Sequence, residues 1–202
     1  MKPRLILSLL ALLTCSPVAH AELVFDISEE IISPTQTNLL ITVSGSVDTD
    51  GLTLDFTNAG LSSTFEPDSV RIAMRPSTYF GGAYGYRIPS PLPQFGTNVD
   101  TLNVEESTEG SIIGFNNSRL FVPPGYVSET SLSASMTVLN QNFADFSLIA
   151  GESYSIAWAE GTTDEDRLTV NIVPEPSSIL LIGTASGLLA LARQKRKTLA
   201  VD

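Results

Sequence analysis

Residues 22–173 predict an all-β domain, an antiparallel, jelly-roll-like β-sandwich, with a signal helix before it and a transmembrane-like helix after it. Three observations carry this expectation. Segments of four to seven residues rich in Val, Ile, Thr and Tyr recur between clusters of Gly, Asn, Asp and Pro, the pattern of short strands and turns. No long 3.6-residue periodicity interrupts them. The strongly apolar runs lie at the two ends of the chain, outside the domain.

The first 21 residues read as a signal peptide. Lys2 and Arg4 precede the apolar run Leu5 to Leu13, and Ala19-His20-Ala21 supplies the small-x-small cleavage site. The run is too short to span a bilayer, so cleavage is expected after Ala21. Cys15 raises a lipoprotein alternative, but Thr14 before it is bulkier than the Gly, Ala or Ser that lipidation prefers.

Strands are expected at 39–44, 52–56, 69–74, 111–115, 119–122, 132–138, 154–158 and 167–173. Ser46–Gly51 and Gly161–Asp166 read as turns between neighbouring strands, and the Pro-rich stretch Ile88 to Pro93 as a long surface loop. Pro174 and Pro176 have no backbone N–H and hold an extended geometry, so they end the last strand. An apolar segment from Ile179 to Ala192 follows, shorter than the roughly 20 residues of a comfortable membrane span. The cluster Arg193-Gln194-Lys195-Arg196-Lys197 closes it and would stay cytoplasmic, leaving the β domain outside. The division is therefore signal peptide 1–21, β domain 22–173 and tail 174–202.

Composition excludes much chemistry. The only histidine, His20, and the only cysteine, Cys15, leave with the signal peptide, and no lysine lies between Glu22 and Val173. An imidazole-based triad, a zinc site of His or Cys, a Schiff base and a P-loop are all unavailable to the mature domain. No disulfide forms, so stability rests on packing. About 20 acidic residues face five arginines (Arg71, Arg75, Arg87, Arg119 and Arg167), a charge near −15. That balance argues against nucleic-acid binding, which needs Lys and Arg for phosphates. No cofactor is expected.

Val173-Pro174-Glu175-Pro176-Ser177, the apolar segment and the terminal basic cluster together resemble the PEP-CTERM sorting domain. Proteins with this tail occur in Gram-negative bacteria that make extracellular polysaccharide. The resemblance implies an exosortase, a membrane-embedded, cysteine-protease-like transpeptidase, as partner, with Pro174, Glu175 and Pro176 as the recognition residues. It also implies anchoring in the inner membrane before processing, then release to the cell surface or beyond. Gly114 to Val127 and the pair Tyr154–Trp158 and Asp166–Val170 look like segments of many such proteins, although Ala159-Glu160 replaces the usual Gly-rich turn.

Three groups of residues offer site chemistry. Tyr79, Tyr84 and Tyr86, on a Gly-containing stretch, offer rings that stack on sugars, with Arg87 for an acidic group; packing of alternate rings on the core is the alternative. Asp48-Thr49-Asp50-Gly51 resembles the start of a calcium loop, but Leu52 at the fifth position has no side-chain oxygen, so a plain turn is the alternative and no metal is expected. Glu105, Glu106 and Glu109 supply carboxylates of the kind a glycosidase pairs. The leading expectation is a secreted, non-catalytic surface or matrix protein sorted by an exosortase. A carbohydrate-binding module for exopolysaccharide comes second and a two-carboxylate glycosidase third.

Overall fold

The computed structural model describes residues 21–97, 104–105, 110–158 and 166–174. Both expected flanking helices fall outside these residues. Among those described, no helix is long and apolar enough to cross a membrane.

The chain forms β1 (Glu22–Ser33), β2 (Gln36–Gly45), β3 (Thr53–Ala59), β4 (Thr64–Glu66), β5 (Arg71–Met74) and β6 (Ala83–Arg87). It continues with β7 (Val104–Glu105), β8 (Ile113–Asn116), β9 (Arg119–Val122), β10 (Leu132–Val138), β11 (Ser153–Trp158) and β12 (Asp166–Val173). Sheet A has the order β11-β12-β1-β2-β10-β7, and sheet B the order β3-β6-β9-β8-β5-β4.

Alternation explains why these segments pair as they do. In β1 the side chains of Leu23, Phe25 and Ile27 are fully buried while their neighbours face outward. The same period of two runs through Leu39, Ile41 and Val43 of β2 and through Leu132, Ala134, Met136 and Val138 of β10. In sheet B, Ile72, Met74, Ile113, Phe115, Leu120 and Val122 supply the facing layer. The two sheets close on one core, the arrangement of a β-sandwich. Phe25 meets Phe115 edge to face at 5.0 Å across the interface, and Phe65 meets Phe146 at 4.8 Å. Each such ring contributes about 1.5–3 kcal/mol by leaving water.

Four features depart from the sequence expectation. Sheet A is not wholly antiparallel: β1 runs parallel to β12, from Glu22↔Arg167 to Ser28↔Val173. Strands β1, β4, β6 and β7 have no counterpart among the expected segments. Ser46–Gly51 does not join paired strands; it carries the chain from β2 in sheet A to β3 in sheet B. The Pro-rich loop is surface only in part, because its prolines at 89, 91 and 93 are exposed while Ile88, Leu92 and nearby Phe95 are buried. Phe95 reaches Phe65, Phe115 and Tyr154, so this loop plugs one end of the sandwich.

Candidate functional site

The C-terminal exit is set by β12. It lies inside sheet A with β11 antiparallel on one side and β1 parallel on the other. Leu168, Val170 and Ile172 are buried, and the ladder runs out at Val173. Pro174 follows, exposed and without the N–H that would extend the pairing. Glu175 and Pro176, with the apolar segment and basic cluster, lie outside the described residues.

Of the signal-cleavage pair, Ala19 also lies outside them. Ala21 is buried, and its carbonyl accepts from the Arg167 N–H at 3.1 Å.

The expected aromatic loop is split between a turn and a strand. Tyr84 and Tyr86 belong to β6, half-buried against the main core opposite Val122 and Leu120. Tyr79 packs on a smaller cluster of Leu61, Ala73, Ala83, Ile112 and Phe121 on the other side of the sheet. Its hydroxyl donates to the Gly82 carbonyl at 3.3 Å. Arg75 ties this turn down by donating Nε and Nη2 to the Tyr79 carbonyl at 3.1 and 2.9 Å. The three tyrosines therefore do not share one platform. Phe80, between them, is the exposed ring of the turn.

Asp48 is committed to the β2–β3 crossover. Its Oδ1 accepts from the Asp50 N–H at 2.8 Å and from the Ser128 hydroxyl, while the Thr49 N–H donates to Ser128 Oγ at 2.9 Å. Asp50 borders a concavity with Gly51, Leu52, Thr53, Arg87, Pro89 and Trp158. A guanidinium on that rim opposes a cation there. Among the described residues, no three His, Cys, Asp or Glu side chains gather as a metal set. Of the glycosidase candidates, Glu105 sits in β7, and Glu106 and Glu109 lie outside the described residues.

Sheet B assembles a cluster that the linear sequence hides. Asp55 and Phe56 of β3 both lie over the outer face, because register shifts on either side of Phe56 break the strand's alternation. Arg87 and Arg119 stand directly opposite each other on β6 and β9, a like-charge pair that the Asp55 carboxylate bridges, leaving one net positive charge. Arg87 donates Nε and Nη2 to the carboxylate at 3.1–3.3 Å, and Arg119 donates Nε at 3.2 Å. The Arg119 guanidinium also lies 4.9 Å from the Phe56 ring centroid. Gly85 makes room beneath: a Cβ there would stand 3.1 Å from Phe121 and 3.3 Å from Phe56. No sequence spacing reveals this group, since its members come together only through the β3-β6-β9 order.

The fold and its C-terminal exit define a β-sandwich domain that hands its last strand directly to a terminal tail. The tail itself has a clear match: the family model for the PEP-CTERM protein-sorting motif covers residues 173–197. The chain thus carries a PEP-CTERM sorting motif at its C-terminal end, the C-terminal sorting signal of an exported protein. No curated protein and no solved structure matches the chain.

Proposed function

We propose that this is an exosortase substrate whose β domain serves, without catalysis, as a component of the cell surface or extracellular matrix. The observation that carries the reading is the position of the sorting motif. It starts at residue 173, where the β12 ladder ends, so a cut within it would release a complete domain. Composition supports the non-catalytic part, because residues 22–173 hold no His, Cys or Lys. In this reading the chain is held at the inner membrane by the tail after export, then processed. The sandwich is read as jelly-roll-like because the chain changes sheet after β2, β6, β7 and β9.

Intact mass of the native protein from membrane and extracellular fractions tests the proposal. A species beginning at Glu22 and ending near Val173–Pro176, lost when the exosortase is deleted, is expected. A species that keeps Lys197 and stays with the membrane in both strains overturns it.

A second reading, that the domain holds extracellular polysaccharide, is favoured by the cations and exposed ring gathered on the outer face of sheet B. The Tyr79, Tyr84 and Tyr86 rings would contribute little to that contact, being packed against the two clusters.

A further inference from the structure

The geometry points to a binding site for an acidic saccharide on the outer face of sheet B, an inference that rests on the polysaccharide reading above and gives it a place and a ligand class. The face holds a concavity of about 400 Å³ lined by Phe56, Asn58, Leu61, Arg71, Asn116, Arg119 and Phe121 among others. That volume lies within the range of small-ligand sites, about 300–1,000 Å³.

Each lining group has a use that fits a uronate-type sugar. Phe56 is 45% exposed although it is a large apolar ring on a strand. The part of the ring that Arg119 leaves open can take the C–H face of a pyranose as it would a core side chain. Asn116 is oriented by its own turn: its Oδ1 accepts from the Ser118 N–H at 3.1 Å, which leaves its Nδ2 donors for hydroxyls. Arg119 is held in place by Asp55 through Nε and donates Nη1 to Ser118 Oγ at 3.3 Å. Among the described residues nothing takes its Nη2 N–H groups, which can serve a carboxylate. Arg71, half-exposed and 3.6 Å from Glu66, supplies a second cation that a ligand carboxylate can share.

Charge distribution singles out this face. Between Glu22 and Val173 about 20 acidic residues face five arginines. Three of the five, Arg71, Arg87 and Arg119, line or border this one surface. An acidic chain repelled by the rest of the domain meets its cations here and beside an exposed ring. A neutral sugar would meet the arginines only through its hydroxyls, without the charge-assisted contact, so acidic groups set the preference.

The test is calorimetric titration of the purified full chain in detergent with oligogalacturonate and with the same oligomer after carboxyl reduction. The acidic oligomer should bind at least about tenfold more tightly than the neutral one, the gain expected of one charge-assisted contact. Arg71→Gln and Phe56→Ala should each weaken it about tenfold. Arg167→Gln, which removes the same charge from an exposed position on β12, should leave binding unchanged. Circular dichroism and unfolding curves of each variant show that the fold is kept. Equal binding of both oligomers, with Phe56→Ala still harmful, overturns the acidic preference but keeps the polysaccharide reading. Equal losses for Arg71→Gln and Arg167→Gln overturn the site, and no binding of either oligomer overturns both.

Discussion

Removing one oxygen from Tyr126 should loosen the corner where the chain passes from sheet A to sheet B. The Tyr126 hydroxyl accepts from the Val47 N–H at 3.0 Å and lies 2.7 Å from the Thr130 carbonyl and 3.1 Å from that of Val47. Its single proton goes to the closer acceptor, Thr130. In Tyr126→Phe the ring remains, and the Val47 carbonyl keeps the Glu129 N–H at 2.8 Å. The loss falls on the Val47 N–H, whose residue is fully buried, and on the more exposed Thr130 carbonyl. A buried donor left without a partner costs about 1–3 kcal/mol, and an exposed acceptor little. About 2 kcal/mol is expected, or roughly 4–8 °C in Tm for a domain of this size. Burial also raises the Tyr126 phenol above its ordinary 10.0, ahead of the opposing effects of the Val47 N–H and the Thr130 side chain. The folded state then holds the proton more tightly than the unfolded one. The stability this lends is complete below about pH 10 and is lost as pH rises through the raised value. Tyr154, held up to about 12 by its hydrogen bond to Glu152, titrates in both proteins and cancels in the difference. Urea unfolding is readily followed through Trp158, the only tryptophan, 2% exposed and donating Nε1 to the Asp48 carbonyl at 3.4 Å. The wild type should lead by about 2 kcal/mol at about pH 7, and the lead should shrink at about pH 11. A lead below about 0.5 kcal/mol at neutral pH, or one that grows with pH, would refute the reasoning.

Other substitutions probe the remaining joints. Gly45 has φ +121°, and a Cβ there would stand 1.9 Å from the Glu22 carbonyl oxygen. Gly45→Ala should therefore cost more than about 3 kcal/mol, whereas Gly51→Ala, at φ +85° in open space, should cost about 1 kcal/mol. Comparable unfolding midpoints for the two would show that the backbone contact at Gly45 is readily relieved. Asp55→Asn removes the carboxylate between Arg87 and Arg119 and should destabilise by about 1 kcal/mol, less in high salt. A salt-independent difference would mean that Asp55 acts through packing alone.

Local pattern carried most strands, and non-local contact decided what it could not reach. The run Leu132 to Val138 shows both alternation and flanking turn residues, and β10 has those bounds. Arg119–Val122 is legible for the same reason. The alternation of Leu23, Phe25 and Ile27 was equally available for β1, but Glu29 and Glu30 sit where a turn signal would confirm it. β6 hid behind Gly81, Gly82 and Gly85, which read as loop punctuation. Gly85 is instead a strand residue, small because Phe56 and Phe121 lie over it. Residue types do not encode those rings' approach, since it depends on the order β3-β6-β9. Val70 shows the limit from the other side: it looks like a strand former, yet at φ 52° it closes the turn before β5. The sorting motif was readable because its parts are contiguous. The Asp55, Arg87 and Arg119 cluster was not, because 32 residues separate the first two and 64 the first and third.

The parallel pair of β1 and β12 fixes a timetable for folding. Glu22 and Thr169, joined by a side-chain hydrogen bond at 3.1 Å, are 147 residues apart. The first strand to emerge on export thus waits for the last, and such long-range pairing is slow to form. Sheet B lies within residues 53–122 and has all its strands in hand earlier. Until Val173 has crossed, β1 keeps one open edge, the kind of template that recruits other chains. Truncation before β12 would leave that edge open for good. Severing the chain beyond Val173 leaves both ladders whole, so under the proposed processing a tail that held the terminus until folding was complete would guard the interval in which the domain is most prone to aggregate.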